Sequence, residues 1–195
     1  AVSITLIDVV NPLLILIGIG IGAIIGSLIA LKVKMTSIPE MVALFNGFGG
    51  LATFFIAWSE FNSIPSNTFQ YVLIMMTTYI GGVTFSGSVI AYGKLSERLK
   101  VDKASIITKI FTTVFYISII YLIYSVSITK IFTPAFDFYS VLLILTLLGG
   151  IGFVIPIGGG DMPVVISLLN SFSGIAAAFA GLLLLNNVLI VAGSL

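Results

Sequence analysis

Long uncharged runs separated by short polar breaks fill the chain. Runs close to or beyond the ~20 residues that span ~30 Å of hydrocarbon predict helices that cross a bilayer. Six full spans are expected, at about Pro12 to Leu31, Pro39 to Ser59, Phe69 to Tyr92, Ile106 to Ile128, Phe138 to Ile157 and Met162 to Leu185. A seventh begins at Val188 and is cut off. The breaks are Lys32 to Ser37, Glu60 to Asn67, Gly93 to Lys103, Lys130 to Asp137, Gly158 to Asp161, and Asn186 with Asn187. Connections this tight make neighbouring helices antiparallel. The stretch IGIGIG, Ile17 to Gly22, alternates like a strand, but a lone strand cannot satisfy its backbone in lipid, so the reading is helical. On that helix Gly18, Gly22 and Gly26 share one face and would let another backbone approach closely. The expected fold class is all-α, a polytopic transmembrane helix bundle of six full spans plus a truncated seventh, in a single domain over residues 1–195.

Composition sharpens this picture. With 59% apolar residues, 8% charged residues and a mean hydropathy of +1.27, the chain is too apolar for a water-soluble globule of its size. A formal net charge of +1 leaves no basic surface for a nucleic-acid partner. Cysteine is absent, which excludes disulfides, thiolate metal sites and thiol catalysis. Ala1 to Val10 has neither the basic start nor the cleavage pattern of a signal peptide. Lys32, Lys34, Lys94, Arg98, Lys100, Lys103 and Lys109 gather on one side of the membrane, with Lys130 alone on the other. By the positive-inside rule the first group faces the cytoplasm, or the matrix of a mitochondrion. The N-terminus and the Asn186 turn then face outward.

Polar residues inside or beside the spans carry the candidate chemistry. Ser37-Ile-Pro-Glu40 reads as a capping box, with Ser37 accepting from the Glu40 amide and the Glu40 carboxylate reaching back. Asp161 in GGGDMP can cap the sixth span, with Pro163 in its first turn. Aligned on their prolines, IPEMVALFNGFGGLATFF and MPVVISLLNSFSGIAAAF match at Pro39/Pro163, Leu44/Leu168, Asn46/Asn170, Phe48/Phe172, Gly50/Gly174 and Ala52/Ala176. This is a weak internal repeat of two helices pointing the same way. Each Asn lies roughly 13 Å along its helix, near the bilayer midplane. There an amide is either glue between helices or part of a proton or ion path. Thr84, Ser86 and Ser88 add hydroxyls that can relay a proton or bond back to their own helix. Histidine is absent, no ionisable residue lies deep within a span, and no phosphate-binding loop follows a strand. No catalytic, cofactor-binding or metal-ligating residue is expected in this chain.

The stretches KMTSIPEMVALFNGFGGLA, GGVTFSGSVIAYGKL, GGGDMPVVISLLNSFSGIAAAFAG and LLLNNVLIVAGSL resemble the membrane domain of the β subunit of proton-translocating NAD(P) transhydrogenase. The resemblance covers Pro12 to Leu195, with the fourth and fifth spans matching mainly in hydropathy. It implies an enzyme that reduces NADP with a hydride from NADH, driven by protons moving inward through this domain. It implies further helices before the first span and a soluble NADP(H)-binding domain after the seventh. NADP(H) and NAD(H) would then be bound by other domains, and none by this chain. The implied partners are the transhydrogenase α subunit with its NAD(H)-binding domain and membrane helices, the chain's own NADP(H)-binding domain, and a second copy of the complete enzyme. The implied location is a bacterial inner membrane or the mitochondrial inner membrane, crossed several times. The family's proton-path residues match Asn46, Ser88 and Asn170. Asp161 matches an acidic residue facing the NADP(H) domain, and Glu40 joins it as a coupling residue. Many members carry histidine where this chain has Asn46. In some members with asparagine there, a helix of the partner subunit contributes the histidine, and that is the expectation here.

Two other functions fit the residues alone. A secondary transporter would use the Asn46 and Asn170 helices as a midplane solute or ion site. A passive scaffold would merely anchor soluble domains.

Overall fold

The computed structural model describes residues 12–63, 65, 67–99, 105–128 and 136–195. Among them every regular element is helical, as hydrocarbon demands of a backbone that has to bond within its own segment. The helices are α1 (Pro12–Lys32), α2 (Ile38–Asn62), α3 (Thr68–Leu95), α4 (Ile106–Ile128), α5 (Phe136–Val154), α6 (Met162–Leu183) and α7 (Asn187–Ser194). Single 3₁₀ turns, Met35–Ser37 and Gly159–Asp161, lead into α2 and α6. Five helices, α1 to α4 and α6, are long and apolar enough to cross a membrane, and α5 contributes the shorter apolar stretch Phe138–Val154. A chain with so many such helices is membrane-embedded. Lys100, Lys103, Lys130 and Asp8 lie outside the described residues.

The chain divides into two compact units, Ala1–Ile38 and Pro39–Leu195. In the first, α1 is apolar all round, the pattern of a helix surrounded by lipid or other helices. In the second, helix ends follow local chemistry. Asn67 caps α3 by accepting from the Gln70 amide at 2.9 Å, and Asn186 caps α7 by accepting from Leu189 at 3.1 Å. The expected cap by Asp161 is not made. Its backbone is already helical (φ −92°, ψ 0°) because the 3₁₀ turn runs straight into α6, and its side chain bonds no backbone amide of the first turn. A capping carboxylate needs an extended backbone at that residue. Pro163 does sit in the first turn, as expected. α5 stops at Val154, short of the expected Ile157. Pro156 disfavours helix at the residue before it. In addition the Lys94 ammonium donates to the carbonyls of Val154, Ile155 and Ile157 at 3.2, 2.5 and 2.6 Å.

α3 is the axis of this unit, with 16 of its 28 residues buried. It runs antiparallel to α2 and parallel to α5, as the pairs Gly47/Ser88, Gly50/Gly81, Thr78/Tyr139 and Lys94/Val154 require, and α4 runs antiparallel to α5, and so to α3, as Ser118/Gly149 and Phe111/Gly152 require. α6 and α7 form a tight hairpin in which Gly174 meets Gly193 and Gly181 meets Ile190. Two apolar clusters occupy the two ends. One joins Ala57, Leu73 to Met75, Tyr79, Val83, Tyr139, Leu142 and Leu183, with Phe61 stacked on Tyr139 at 3.9 Å. The other joins Ala43, Ala91, Val154, Met162, Val165, Ile166 and Leu169. Small and hydroxylated residues fill the level between them.

Candidate functional site

At this middle level Asn46 joins three helices. Its Nδ2 donates to Ser88 Oγ on α3 at 3.2 Å, and its Oδ1 accepts from Ser173 Oγ on α6 at 2.7 Å. The Ser173 hydroxyl is also 2.8 Å from the Asn170 carbonyl on its own helix, so its single proton serves two acceptors. Ser88 is fully buried. Glycines bring it within reach. A Cβ on Gly47 would lie 3.0 Å from Ser88 Cβ, and Cβ atoms on Gly50 and Gly81 would each lie 2.8 Å from the other residue's carbonyl oxygen. Any larger residue at this crossing would push α2 off α3.

The three hydroxyls of α3 have different fates. Ser86 donates back to Gly82 at 2.9 Å and is a local feature. Ser88 reaches Asn46. Thr84, fully buried beside Gly50, has no protein partner among the described residues.

The two asparagines of the internal repeat are not equivalent. α2 and α6 do run in the same direction, since Ala43 packs with Met162 to Leu169 and Asn46 meets Ser173. Asn46 is half-buried and bonded at both ends of its amide, whereas Asn170 is exposed and contributes only its carbonyl to the network. Asn170 lines a cleft of about 810 Å³ together with Gly49, Thr53, Ser173, Leu189 and residues 192–195. The two amides therefore do not converge on one solute position. Ser173 escaped the sequence reading because a helical serine ordinarily bonds its own backbone. Its spacing of three from Asn170 was the only available signal. Asp161 and Glu40 stand at the starts of α6 and α2, hence at the same end of this unit, and the Asp161 carboxylate is exposed. No cluster of metal-binding side chains occurs among the described residues.

This network can hold and orient a proton donor or acceptor. It cannot itself titrate near neutral pH, since amides and hydroxyls neither gain nor lose protons there. The family model for the NAD(P) transhydrogenase beta subunit matches residues 1–195 of the chain. Among similar proteins is the NAD(P) transhydrogenase subunit beta of Rhodospirillum rubrum, 38% identical over 192 residues, covering 93% of this chain. The subunit of the same name from a designated strain of that species matches with the same identity and coverage. The chain spans 40% of the length of these relatives.

Proposed function

Because the chain belongs to the NAD(P) transhydrogenase beta subunit family, we propose that it is the proton-translocating membrane domain of an NAD(P) transhydrogenase. In this reading inward proton movement through the domain drives hydride transfer from NADH to NADP, and both nucleotides are bound by other domains. Residues 1–195 act as one transmembrane domain of six full spans and the start of a seventh. Its basic ends face the cytoplasm or matrix, in a bacterial inner membrane or the mitochondrial inner membrane. The α subunit and an NADP(H)-binding domain are its partners, within a homodimer of the complete enzyme.

The observation that carries the proton path is the Asn46 bridge. A carboxamide in hydrocarbon is costly unless paired. This one ties Ser88 and Ser173 together between two apolar clusters, next to the cleft into which Asn170 faces. Asn46, Ser88 and Asn170 line the path. Asp161 and Glu40, at the end where α2 and α6 begin, pass its state to the NADP(H)-binding domain. The rival transporter reading would need Asn46 and Asn170 to share a solute site, and their different environments disfavour it.

The test is Asn46→Leu in the complete enzyme reconstituted in vesicles. Leucine keeps the branched shape of asparagine, with bulkier methyl groups, but can bond neither serine. Proton-coupled turnover should fall by about a hundredfold, as for loss of a group that positions a proton carrier. Hydride exchange between bound nucleotides should persist. Unchanged proton pumping would reduce Asn46 to helix glue.

A further inference from the structure

We infer that Lys94 is a positioning residue for proton coupling. From the end of α3 it holds the backbone that presents Asp161 to the NADP(H)-binding domain, so that the helix bearing Ser88 and the coupling carboxylate shift together. The inference rests on the reading of Ser88 as a path residue and of Asp161 as a coupling residue, and adds the connection between them.

The last carbonyls of a helix need partners, and a helix commonly finds them in its own next turn. Here α3 closes with the Ser96 amide on Tyr92 and the Leu99 amide on Gly93, and α6 with the Leu184 amide on Ala180 and the Asn186 amide on Gly181. The end of α5 is held from outside. The Lys94 ammonium comes across from α3 and donates to the carbonyls of Val154, Ile155 and Ile157. Drawing an ammonium out of water for this is costly, and a local turn would have satisfied the same carbonyls. What a cation from another helix adds is a fixed relation between α3 and the segment that follows α5.

Both sides of that relation lead to a functional residue. Lys94 lies six residues past Ser88, roughly 9 Å along the same helix. A Cβ on Gly87, the neighbour of Ser88, would lie 3.1 Å from Val154 Cγ2. Val154 is therefore held to α3 twice, by its side chain beside Ser88 and by its carbonyl through Lys94. In the other direction Ile157 is followed by Gly158 to Gly160 and then by the exposed Asp161, whose amide donates to the Gly158 carbonyl at 3.1 Å. Cβ atoms on Gly159 and Gly160 would meet nothing within 4 Å, and neither glycine has a positive φ. These two glycines serve neither close packing nor a left-handed turn, and what they bring is freedom of the backbone. A glycine arch gives Asp161 a defined place only when both of its ends are fixed. Met162, fully buried in the cluster with Ala91 and Val154, fixes one end, and Lys94 fixes the other.

The experiment uses the complete enzyme in vesicles, with Lys94→Met, Lys94→Arg and Asp161→Asn made singly and each lysine variant also combined with Asp161→Asn. Proton-coupled turnover and thermal unfolding are followed for each. Lys94→Met should lower coupled turnover about tenfold, the scale of a small misplacement of a functional group. Lys94→Arg, which can still donate to the carbonyls, should recover part of it. Neither lysine variant should slow Asp161→Asn any further, because a residue that acts by placing a carboxylate has nothing to place once the carboxylate is gone. A residue needed only for packing would slow both backgrounds alike. Normal turnover in Lys94→Met beside a loss in Asp161→Asn, or losses that multiply in the combined variants, would overturn the inference and leave the reading of Asp161 standing. Failure of Lys94→Met to fold, with arginine no better, would also overturn it, by making Lys94 a structural prop. Normal coupled turnover in Asp161→Asn would sink the coupling reading itself, and this connection with it.

Discussion

Asn46 uses both ends of its carboxamide on other helices, and what it lacks is a proton to give. A group that carries protons near physiological pH is best matched by imidazole, with an unperturbed pKa of about 6.5, and this chain contains no histidine. If a partner helix packed against α2 supplies one, replacing that histidine with alanine should abolish proton-coupled turnover. Adding Asn46→His to the same complex should recover a measurable part of it, read as proton uptake by vesicles. No recovery, with the double variant folded, would place the titrating group away from α2. A second residue-scale expectation concerns the α6–α7 turn. Leu185 adopts φ 52°, a left-handed backbone that disfavours branched side chains, and it is 87% exposed. The bonds from the Asn186 amide to Gly181 and from the Leu185 amide to Leu182 mark the helix ending for which glycine is preferred. Leu185→Gly should therefore stabilise the domain by about 1 kcal/mol, seen as a higher unfolding midpoint in detergent. A lower midpoint would mean that the leucine side chain holds the hairpin together.

At the scale of elements, Lys94 joins the end of α3 to the end of α5. Its ammonium takes carbonyls that the helix terminus leaves open. Lys94→Met keeps the stem and removes the cation, which should cost about 1–3 kcal/mol and speed hydrogen exchange at residues 155–161. Unaltered exchange there would show that Pro156 alone shapes the segment. These elements were largely legible in the chain. The expected Ile106 to Ile128 span coincides with α4, and α2, α3 and α6 start within one residue of expectation and end two or three residues from it. The hydrophobic run sets helix length, but it does not report a lysine arriving from another helix, so the expected span ends three residues past Val154, where α5 stops. Asn46 and Ser88 stood out as polar residues in apolar runs, and the structure joins them. Which way Asn170 faces, and that Ser173 would meet Asn46, depended on how helices distant in sequence pack. The Asp161 cap failed because a 3₁₀ turn, which the motif does not reveal, already supplied a helical backbone there.

For the whole molecule, the charge asymmetry sets an orientation that labelling can check. Four of the eight basic residues, Lys94, Arg98, Lys100 and Lys103, lie in one break, and native cysteine is absent. A cysteine introduced at the exposed Glu97 should react with an impermeant reagent only from the cytoplasmic or matrix side. Reaction from the other face would invert the topology and with it the side proposed for an NADP(H)-binding domain. The layering of the second unit bears on how a gradient would be felt. Where apolar clusters lie on either side of a polar level, a membrane voltage drops mainly across the dry layers. A proton held at the level of Asn46 has then already crossed part of the field. Complete passage is worth about 2.3 kcal/mol per 100 mV, and the portion crossed on the way in becomes a voltage-dependent affinity of that level for protons. A difference in electrical potential would load it much as a difference in pH does, so a domain built this way draws on either form of stored gradient.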